Sequence, residues 1–325
     1  MTIYNVAIFG TGLSAIEHYK VIQNFKKLKV CSVYGRNFQR LKRIQKKWKV
    51  NVYNNKKEMF LKENIDIALI ANQNFNHYKD AMFALKNDVD IILEKPISTN
   101  FSESKKLLNF ARKKKSKIFV AFQRRFDEST NYFQKLIKKK IGKIIFIKIN
   151  VFMFRDKKYF EKLKWIKEKK KSGGGVLIHH AIHTIDQLIY IIDQKVADGI
   201  GFLSNEFKKF KIEDTAIGLI FFKNRKIASL NATYCANKNL KNSIEIHGEK
   251  MSVKLENNII YNISKKHNQK GYVLRSFEKK SLGSYQDIWS EFFKKKKSKV
   301  SIKEVLETHK AINLLYKPSL IEKKL

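Results

Sequence analysis

The residues with the clearest chemical meaning are Gly10-Thr11-Gly12-Leu13-Ser14-Ala15, a G-x-G-x-x-A run. Glycines at this spacing let the backbone turn tightly and approach a pyrophosphate, which then rests on the positive end of the following helix. Gly10, Thr11, Gly12 and Leu13 are the candidate contacts. An acidic residue about 20 positions on would hold the ribose 2′-hydroxyl of NAD. Tyr34-Gly35-Arg36-Asn37 stands there instead, with Arg40 one helical turn later. Gly35 clears space and Arg36 can pair with a 2′-phosphate, which favours NADP over NAD; the bland alternative is one more solvated cation. A second cluster, His179-His180-Ala181-Ile182-His183, puts His179 and His183 four apart, on one face if helical. That spacing is one a metal could use, but no third ligand follows by pattern, so no metal is expected. His180 is expected to pack or face solvent.

These residues need elements to hold them. The first 122 residues alternate strand and helix. Ile3 to Phe9 is a short apolar run ending in glycine, as a buried parallel strand does. Leu13 to Phe25 follows as a helix, its face set by Ile16, Tyr19, Ile22 and Phe25. Val30–Tyr34 reads as a strand, Phe38–Lys47 as a helix and Ile65–Ala71 as a third strand. Tyr78, Ala81, Met82 and Leu85 mark another helix, and Val89–Leu93 and Lys117–Phe122 are strands around a helix from Ser102 to Lys113. Repeated β-α-β implies a doubly wound parallel sheet. Beyond Gln123 the rhythm changes. Strand-like runs at Lys143–Phe154, Ile217–Phe222, Ile227–Tyr234 and Ser243–Ile246 are divided by turn signals such as Lys223-Asn224, the pattern of an antiparallel sheet. Helices are expected at Val176–Ile192 and Ser301–Tyr316. The fold class is α/β followed by α+β: a Rossmann domain over 1–122, and over 123–325 a domain with an open, mostly antiparallel sheet, whose last helix can pack back on the first.

The chain has 325 residues, with 68 Lys+Arg against 29 Asp+Glu and a net charge of +39. Nine of the cations are Arg and 59 are Lys; Ile and Asn are also abundant, as codon drift in an AT-rich genome would produce. Lys113–Lys115, Lys138–Lys140, Lys169–Lys171 and Lys294–Lys297 fall at expected helix ends or loops, where the helix dipole favours cations. With little Arg and no recognised module, specific nucleic-acid binding is not expected. Steering of anionic substrates is the more economical consequence. No stretch of 18 uncharged apolar residues suggests a membrane span, and Val6–Phe9 is too short for a signal peptide. Two cysteines, Cys31 and Cys235, cannot build a disulfide framework, so a reduced, cytoplasmic protein is expected.

Further motifs recur in a fixed order. Glu94-Lys95-Pro96 ends a strand, Ile70-Ala71-Asn72-Gln73-Asn74 with His77 closes the one before it, and Gln123-Arg124-Arg125-Phe126 marks the crossing. Gly173-Gly174-Gly175-Val176-Leu177-Ile178, with His183 and Asp186, opens the later helix. In that order and spacing the chain resembles the Gfo/Idh/MocA oxidoreductase family, from the first strand to about Asp193 and more loosely beyond.

The resemblance implies a nicotinamide cofactor and sugar or cyclitol substrates. It implies a catalytic Lys95 and an acid/base His183: a proton leaves a hydroxyl while hydride leaves the same carbon. Those roles suit residues whose pKa shifts readily or lies near neutrality. It adds Asn72, Asn74, His77, Glu94, Lys95 and Gln123 to the cofactor contacts of Gly10, Thr11, Gly12, Leu13, Gly35 and Arg36. Lys95, Arg124, Arg155, His179 and His183 are the expected substrate contacts, with Tyr159 and Trp165 packing or stacking on a sugar. The departure is His179, where many members carry an aspartate; His179 and His183 can share the base role. The expected activity is an NAD(P)-dependent dehydrogenase or reductase of a sugar, nucleotide sugar or cyclitol. The alternatives are a member using bound NAD for glycoside hydrolysis or epimerisation, and a non-catalytic NADP-binding regulator. The resemblance also implies a homodimer or homotetramer paired through the open sheets, with Phe152, Phe154, Phe221 and Phe222 in the interface or the core.

Overall fold

A computed structural model of the chain describes residues 2–205, 210–264, 271–278, 283–294 and 298–317. Two compact units divide it: Met1–Gln123 with Ser281–Leu306, and Arg124–Lys280 with Glu307–Leu325.

The first unit holds β1 (Tyr4–Phe9), α1 (Leu13–Ile22), β2 (Leu28–Tyr34), α2 (Phe38–Trp48), β3 (Asn51–Tyr53), α3 (Lys56–Lys62), β4 (Ile67–Ile70), α4 (Asn74–Lys86), β5 (Asp90–Leu93), α5 (Phe101–Lys114) and β6 (Ile118–Val120). The six strands are parallel in the order β3-β2-β1-β4-β5-β6. Direction of travel reverses between β1 and β4, and the crevice beyond the strand ends at such a point is where these sheets take ligands. Every residue of β4 is buried, as a strand covered on both faces requires. The three-residue β3 and the seven-residue α3 lie outside the sequence-based expectation, being too short and too polar for a periodic signal. The helix face expected for α1 is corrected: the buried residues are Ala15, His18, Val21 and Ile22, so His18 lies on the core side. Tyr19 instead stacks on Trp48 at 3.8 Å. The chain returns to this unit beside β6, where Val120 N–H donates to the Val300 carbonyl.

The second unit holds α6 (Glu128–Lys140), β7 (Ile144–Phe152), α7 (Lys157–Lys162), α8 (Lys169–Ser172), α9 (Ile182–Ile192), β8 (Val196–Ser204), β9 (Thr215–Phe222), β10 (Ile227–Thr233), β11 (Ser243–Gly248), β12 (Ser252–Glu256), β13 (Ile259–Asn262) and β14 (Tyr272–Ser276). The late helices are α10 (Gly283–Phe292), in the first unit, and α11 (Ile302–Leu315), which passes from the first unit to the second at Leu306. The eight strands run β14-β13-β12-β11-β7-β10-β9-β8, antiparallel throughout except for β7 with β10. β8 and β12–β14 escape sequence reading because glycines interrupt the first and the rest are short and polar.

α6 and α9 cover one face of this sheet. The other carries outward side chains: in register, Ile217 of β9 stands beside Phe202 of β8 and Asn231 of β10. Ile217, Leu219, Phe202 and Phe146 are all exposed there. Of the four phenylalanines expected in interface or core, Phe222 is core, Phe152 and Phe221 are half-buried and Phe154 is exposed. The stretch Lys169–Ile192 is long and apolar enough to cross a membrane, but 83% of its apolar window is buried, as in a core helix. The lysine runs end α5 and α6 and form α8; residues 295–297 of the last run lie outside the described residues.

One ion pair fixes the start of α9. Arg125, in the 3₁₀ turn Gln123–Phe126, makes two parallel bonds to Asp186, at 2.9 and 2.6 Å, with both side chains buried. Thr308 donates to the same carboxylate at 2.8 Å. Breaking a buried pair from one side strands the other charge. Arg125→Met should therefore destabilise the second unit by about 3–5 kcal/mol in urea unfolding; a loss below about 1 kcal/mol would mean that the pair is screened.

Candidate active site

In the first unit the candidate residues stand on the ends of β1, β4 and β5. Gly10 has φ +128°, and a Cβ there would lie 2.4 Å from the Ala71 carbonyl oxygen. The glycine is therefore required by the close approach of the loop after β4, whatever binds. Gly12 differs: a Cβ would meet nothing within 4 Å. It caps α1 with no side-chain acceptor on the first amides, and no acidic residue stands in the first turn. That leaves a positive helix end with open space above it, which fits a pyrophosphate. Leu13 is exposed beside it, and Gly35 packs on Thr11, whose methyl would lie 2.8 Å from an added Cβ. Arg36 is exposed at the end of β2, with Nη2 donating to Asn76 Oδ1 at 3.1 Å. Asn37 is the cap of α2.

The loop after β4 is pinned from both sides. Asn72 Nδ2 donates to Asp80 at 2.7 Å, and Asp80 also pairs with Lys56. This leaves Asn72 Oδ1 buried without a hydrogen-bond partner, an acceptor with its amide orientation already set. Gln123 Oε1 is buried in the same condition. Asn74 opens α4 and is buried. His77 Nδ1 lies 2.6 Å from the Pro96 carbonyl and Nε2 3.2 Å from the Asn72 carbonyl, so the ring ties this loop to the one carrying Lys95. Burial holds the His77 pKa below the ordinary value, against the two carbonyls that favour its charge.

Lys95 is half-buried after β5 and joined to Pro96 by a cis peptide. Its N–H donates to Glu94 Oε2 at 3.2 Å. Glu94 is buried, and Oε1 lies 3.3 Å from His18 Nε2. Burial pushes this carboxyl up, but the His18 hydrogen bond and neighbouring positive charge, that of Lys95 included, outweigh it, and the pKa is lowered. The charge therefore contributes stability at neutral pH that is lost as the pH falls through the lowered value.

The histidine cluster lies in the second unit. Leu177–Ala181 is a single π turn, closed by Ile182 N–H on the Leu177 carbonyl, that runs into α9. His179 and His183 thus stand on either side of a π-to-α junction, which the expected single α-helical face does not describe. Such turns recur at functional sites. His179 is buried with its ring 5.8 Å from that of Trp165; His183 is half-buried in the first turn of α9. The glycine turn before them closes on Glu213, which accepts from Gly175 N–H at 2.8 Å, Leu177 N–H at 3.1 Å and Tyr316 O–H at 2.7 Å. Burial nevertheless raises the Glu213 pKa above its ordinary value, so those donors only partly offset its desolvation.

The two arginines expected at the substrate are engaged by the second unit. Arg124 Nη1 donates to Thr184 Oγ1 at 3.2 Å, next to His183, and burial lowers its pKa. Arg155 donates to the Phe154 carbonyl, to Asn239 and to His180 Nε2 at 3.3 Å, beneath the Tyr159 ring. With Nε2 accepting, His180 Nδ1–H donates to the buried Tyr234 hydroxyl at 2.9 Å. His180 is thus the middle of a polar network, neither simply packed nor solvated. His18, Glu213 and Tyr234 carry no local motif; for His18 the signal was its place with Ala15 and Ile22 on one helix face.

A nucleotide loop, a lysine set beside a buried carboxylate and a histidine-bearing turn define a dinucleotide-dependent oxidoreductase fold. Residues 4–122 match the oxidoreductase family's NAD-binding Rossmann fold, and residues 134–319 match its C-terminal alpha/beta domain. The chain belongs to the Gfo/Idh/MocA oxidoreductase family. It is 26% identical to an uncharacterised oxidoreductase of Synechocystis over 77% of this chain and 71% of that one. It is 22% identical to myo-inositol 2-dehydrogenase of Thermotoga maritima over 78% and 75%, and 22% identical to D-glucoside 3-dehydrogenase of Escherichia coli over 71% and 70%. Its fold is similar to that of the WlbA dehydrogenase of Bordetella pertussis, crystallised with NADH and UDP-GlcNAcA, with TM-score 0.85, 19% identity and coverage of 97% of this chain and 95% of that one. It is an enzyme of a family that binds a nicotinamide cofactor.

The two glycines should separate in experiment. Gly12→Ala should keep thermal stability within about 1 kcal/mol of wild type while weakening NADPH or NADH binding about tenfold or more. Gly10→Ala should destabilise the first unit itself by about 2 kcal/mol or more. Unchanged nucleotide affinity in Gly12→Ala would remove the pyrophosphate from this loop.

Proposed function

We propose that this protein moves hydride between a nicotinamide cofactor, NADP in preference to NAD, and a hydroxyl or keto carbon of a sugar, nucleotide sugar or cyclitol. The observation that carries the reading is Lys95: it follows a strand beside the β1–β4 crevice, with its backbone pinned by Glu94 on one side and Pro96 by His77 on the other. Lys95 holds and polarises the substrate oxygen, and His183 takes or relays its proton. The bound cofactor supplies the hydride acceptor or donor. His179, held against Trp165, shares the base role in place of the family's usual carboxylate. Arg124 and Arg155 brace the histidine-bearing segment and present positive charge to substrate. Gly10, Thr11, Gly12, Leu13, Gly35, Asn72, Asn74, His77, Glu94 and Gln123 shape the cofactor side.

Preference for NADP rests on Arg36, tethered by Asn76 where an NAD enzyme would carry a carboxylate. An anionic substrate is supported by the net charge of +39, which steers anions, and by the nucleotide sugar bound to the similar WlbA dehydrogenase. The sugar and cyclitol class is supported by the names of the inositol and glucoside dehydrogenases. The exposed Phe146, Phe202, Ile217 and Leu219 support pairing of two open sheets in a homodimer or homotetramer. The two free thiols support a cytoplasmic setting.

Turnover tests the reading. Purified protein is screened with NADP and NAD against myo-inositol, a glucoside and UDP-sugar acids. Lys95→Ala should lower kcat about a hundredfold or more with cofactor affinity kept. Undiminished turnover would take Lys95 out of the mechanism.

A further inference from the structure

The carboxylate beside Lys95 ends a longer buried polar chain, whose far members, His18, Trp289 and Tyr285, the catalytic reading does not use. Trp289 of α10 and His18 of α1 are both fully buried, and the indole Nε1–H donates to His18 Nδ1 at 3.0 Å. An indole can only donate, so Nδ1 must carry a lone pair, and the ring proton sits on Nε2. That proton points at Glu94 Oε1, 3.3 Å away. Glu94 Oε2 in turn accepts from the Lys95 backbone N–H. Tyr285, also on α10, places its ring 4.5 Å from His18 and hydrogen-bonds the same carboxylate; the charge of Glu94 comes first among the causes that raise its pKa, ahead of burial. Ser14, in the first turn of α1, bonds the Tyr285 hydroxyl.

We infer that His18, locked in one tautomer by Trp289, is a positioning residue that orients Glu94 and through it Lys95. The inference rests on the reading of Lys95 as the catalytic amine, and it gives α10 a role, that of carrying the donors that hold the carboxylate. A buried carboxylate stays charged only while donors solvate it. Here they come from His18, Tyr285 and the Lys95 peptide itself. Without the first, the carboxylate turns or takes a proton, the Lys95 N–H loses its acceptor, and a negative charge that interacts with the lysine is lost. The same chain links the nucleotide loop's helix, through Ser14 and His18, to the lysine.

The test compares His18→Leu with His18→Gln. A glutamine amide has an oxygen to accept from Trp289 and an N–H to give to Glu94, at nearly the spacing of the two ring nitrogens; leucine has neither. Lysines are labelled by reductive [¹³C]methylation, which keeps their charge, and Lys95→Arg identifies the Lys95 signal. In His18→Leu we expect that signal to move and to titrate about half a pH unit or more lower, with NADPH affinity within about threefold of wild type. In His18→Gln it should return to the wild-type position. An unmoved signal in folded His18→Leu overturns the inference, and so does equal movement in both variants, which would mark a packing effect. Should His18→Leu not fold, Trp289→Phe removes the indole donor without leaving an orphan N–H; [¹⁵N]histidine spectra should then show His18 losing its single tautomer, and an unchanged tautomer overturns the inference. Lys95→Ala decides separately whether the lysine is catalytic, so either reading can fail alone.

Discussion

A charged carboxylate buried next to a lysine sets the terms for the rest of the first unit. Glu94 has left water, so its oxygens must be solvated by the chain. One donor is its neighbour's peptide, which ties the direction of Lys95 to the carboxylate plane. The others come from α1 and from α10, nearly 200 residues further along, so the late return of the chain is part of the site's construction. His77 does the matching work on the other side of Lys95 by holding the Pro96 carbonyl. The lysine therefore leaves a backbone whose freedom has been removed by hydrogen bonds, which suits the role proposed for it at a substrate oxygen.

The second unit solves the same problem with different parts. Glu213 gathers the amides of the glycine turn and the hydroxyl of Tyr316, and a Cβ on Gly175 would lie against the Glu213 carbonyl. Arg125 and Asp186 fix the start of α9 one turn beyond. Between these anchors the chain opens into a π turn that carries His179 and His180. In each unit a buried carboxyl group holds a turn, and the turn holds a residue proposed to carry chemistry.

What was legible in the sequence follows from which constraints are local. Gly10 and Gly12 are readable because a tight strand-to-helix turn demands small residues within three positions, whereas Glu94-Lys95-Pro96 was readable only through the family whose motif it resembles. The parallel sheet was readable from apolar runs at regular spacing. His18 was hidden because Ile16, Tyr19, Ile22 and Phe25 suggested a helix face one position off, and its partner Trp289 lies 271 positions away. The π turn left no periodic signature because nearly every residue from 176 to 192 is buried, so the rotation of about 100° that one extra residue adds displaces no polar face. β12–β14 are short and half-polar, stabilised by neighbours that a linear reading does not see. Arg155 looked like a cleft cation, and its bonds to His180 and Asn239 join segments brought together only by the fold.

The loop after β1 is proposed to hold a nicotinamide dinucleotide whose 2′-phosphate Arg36 reads. The most direct test is a fluorescence titration of the protein and of Arg36→Ala with NADPH and NADH at physiological ionic strength. The account predicts that wild type binds NADPH the more tightly, and that the variant loses about tenfold or more for NADPH with NADH little changed. Equal losses for both nucleotides, or no binding of either to wild type, would contradict it.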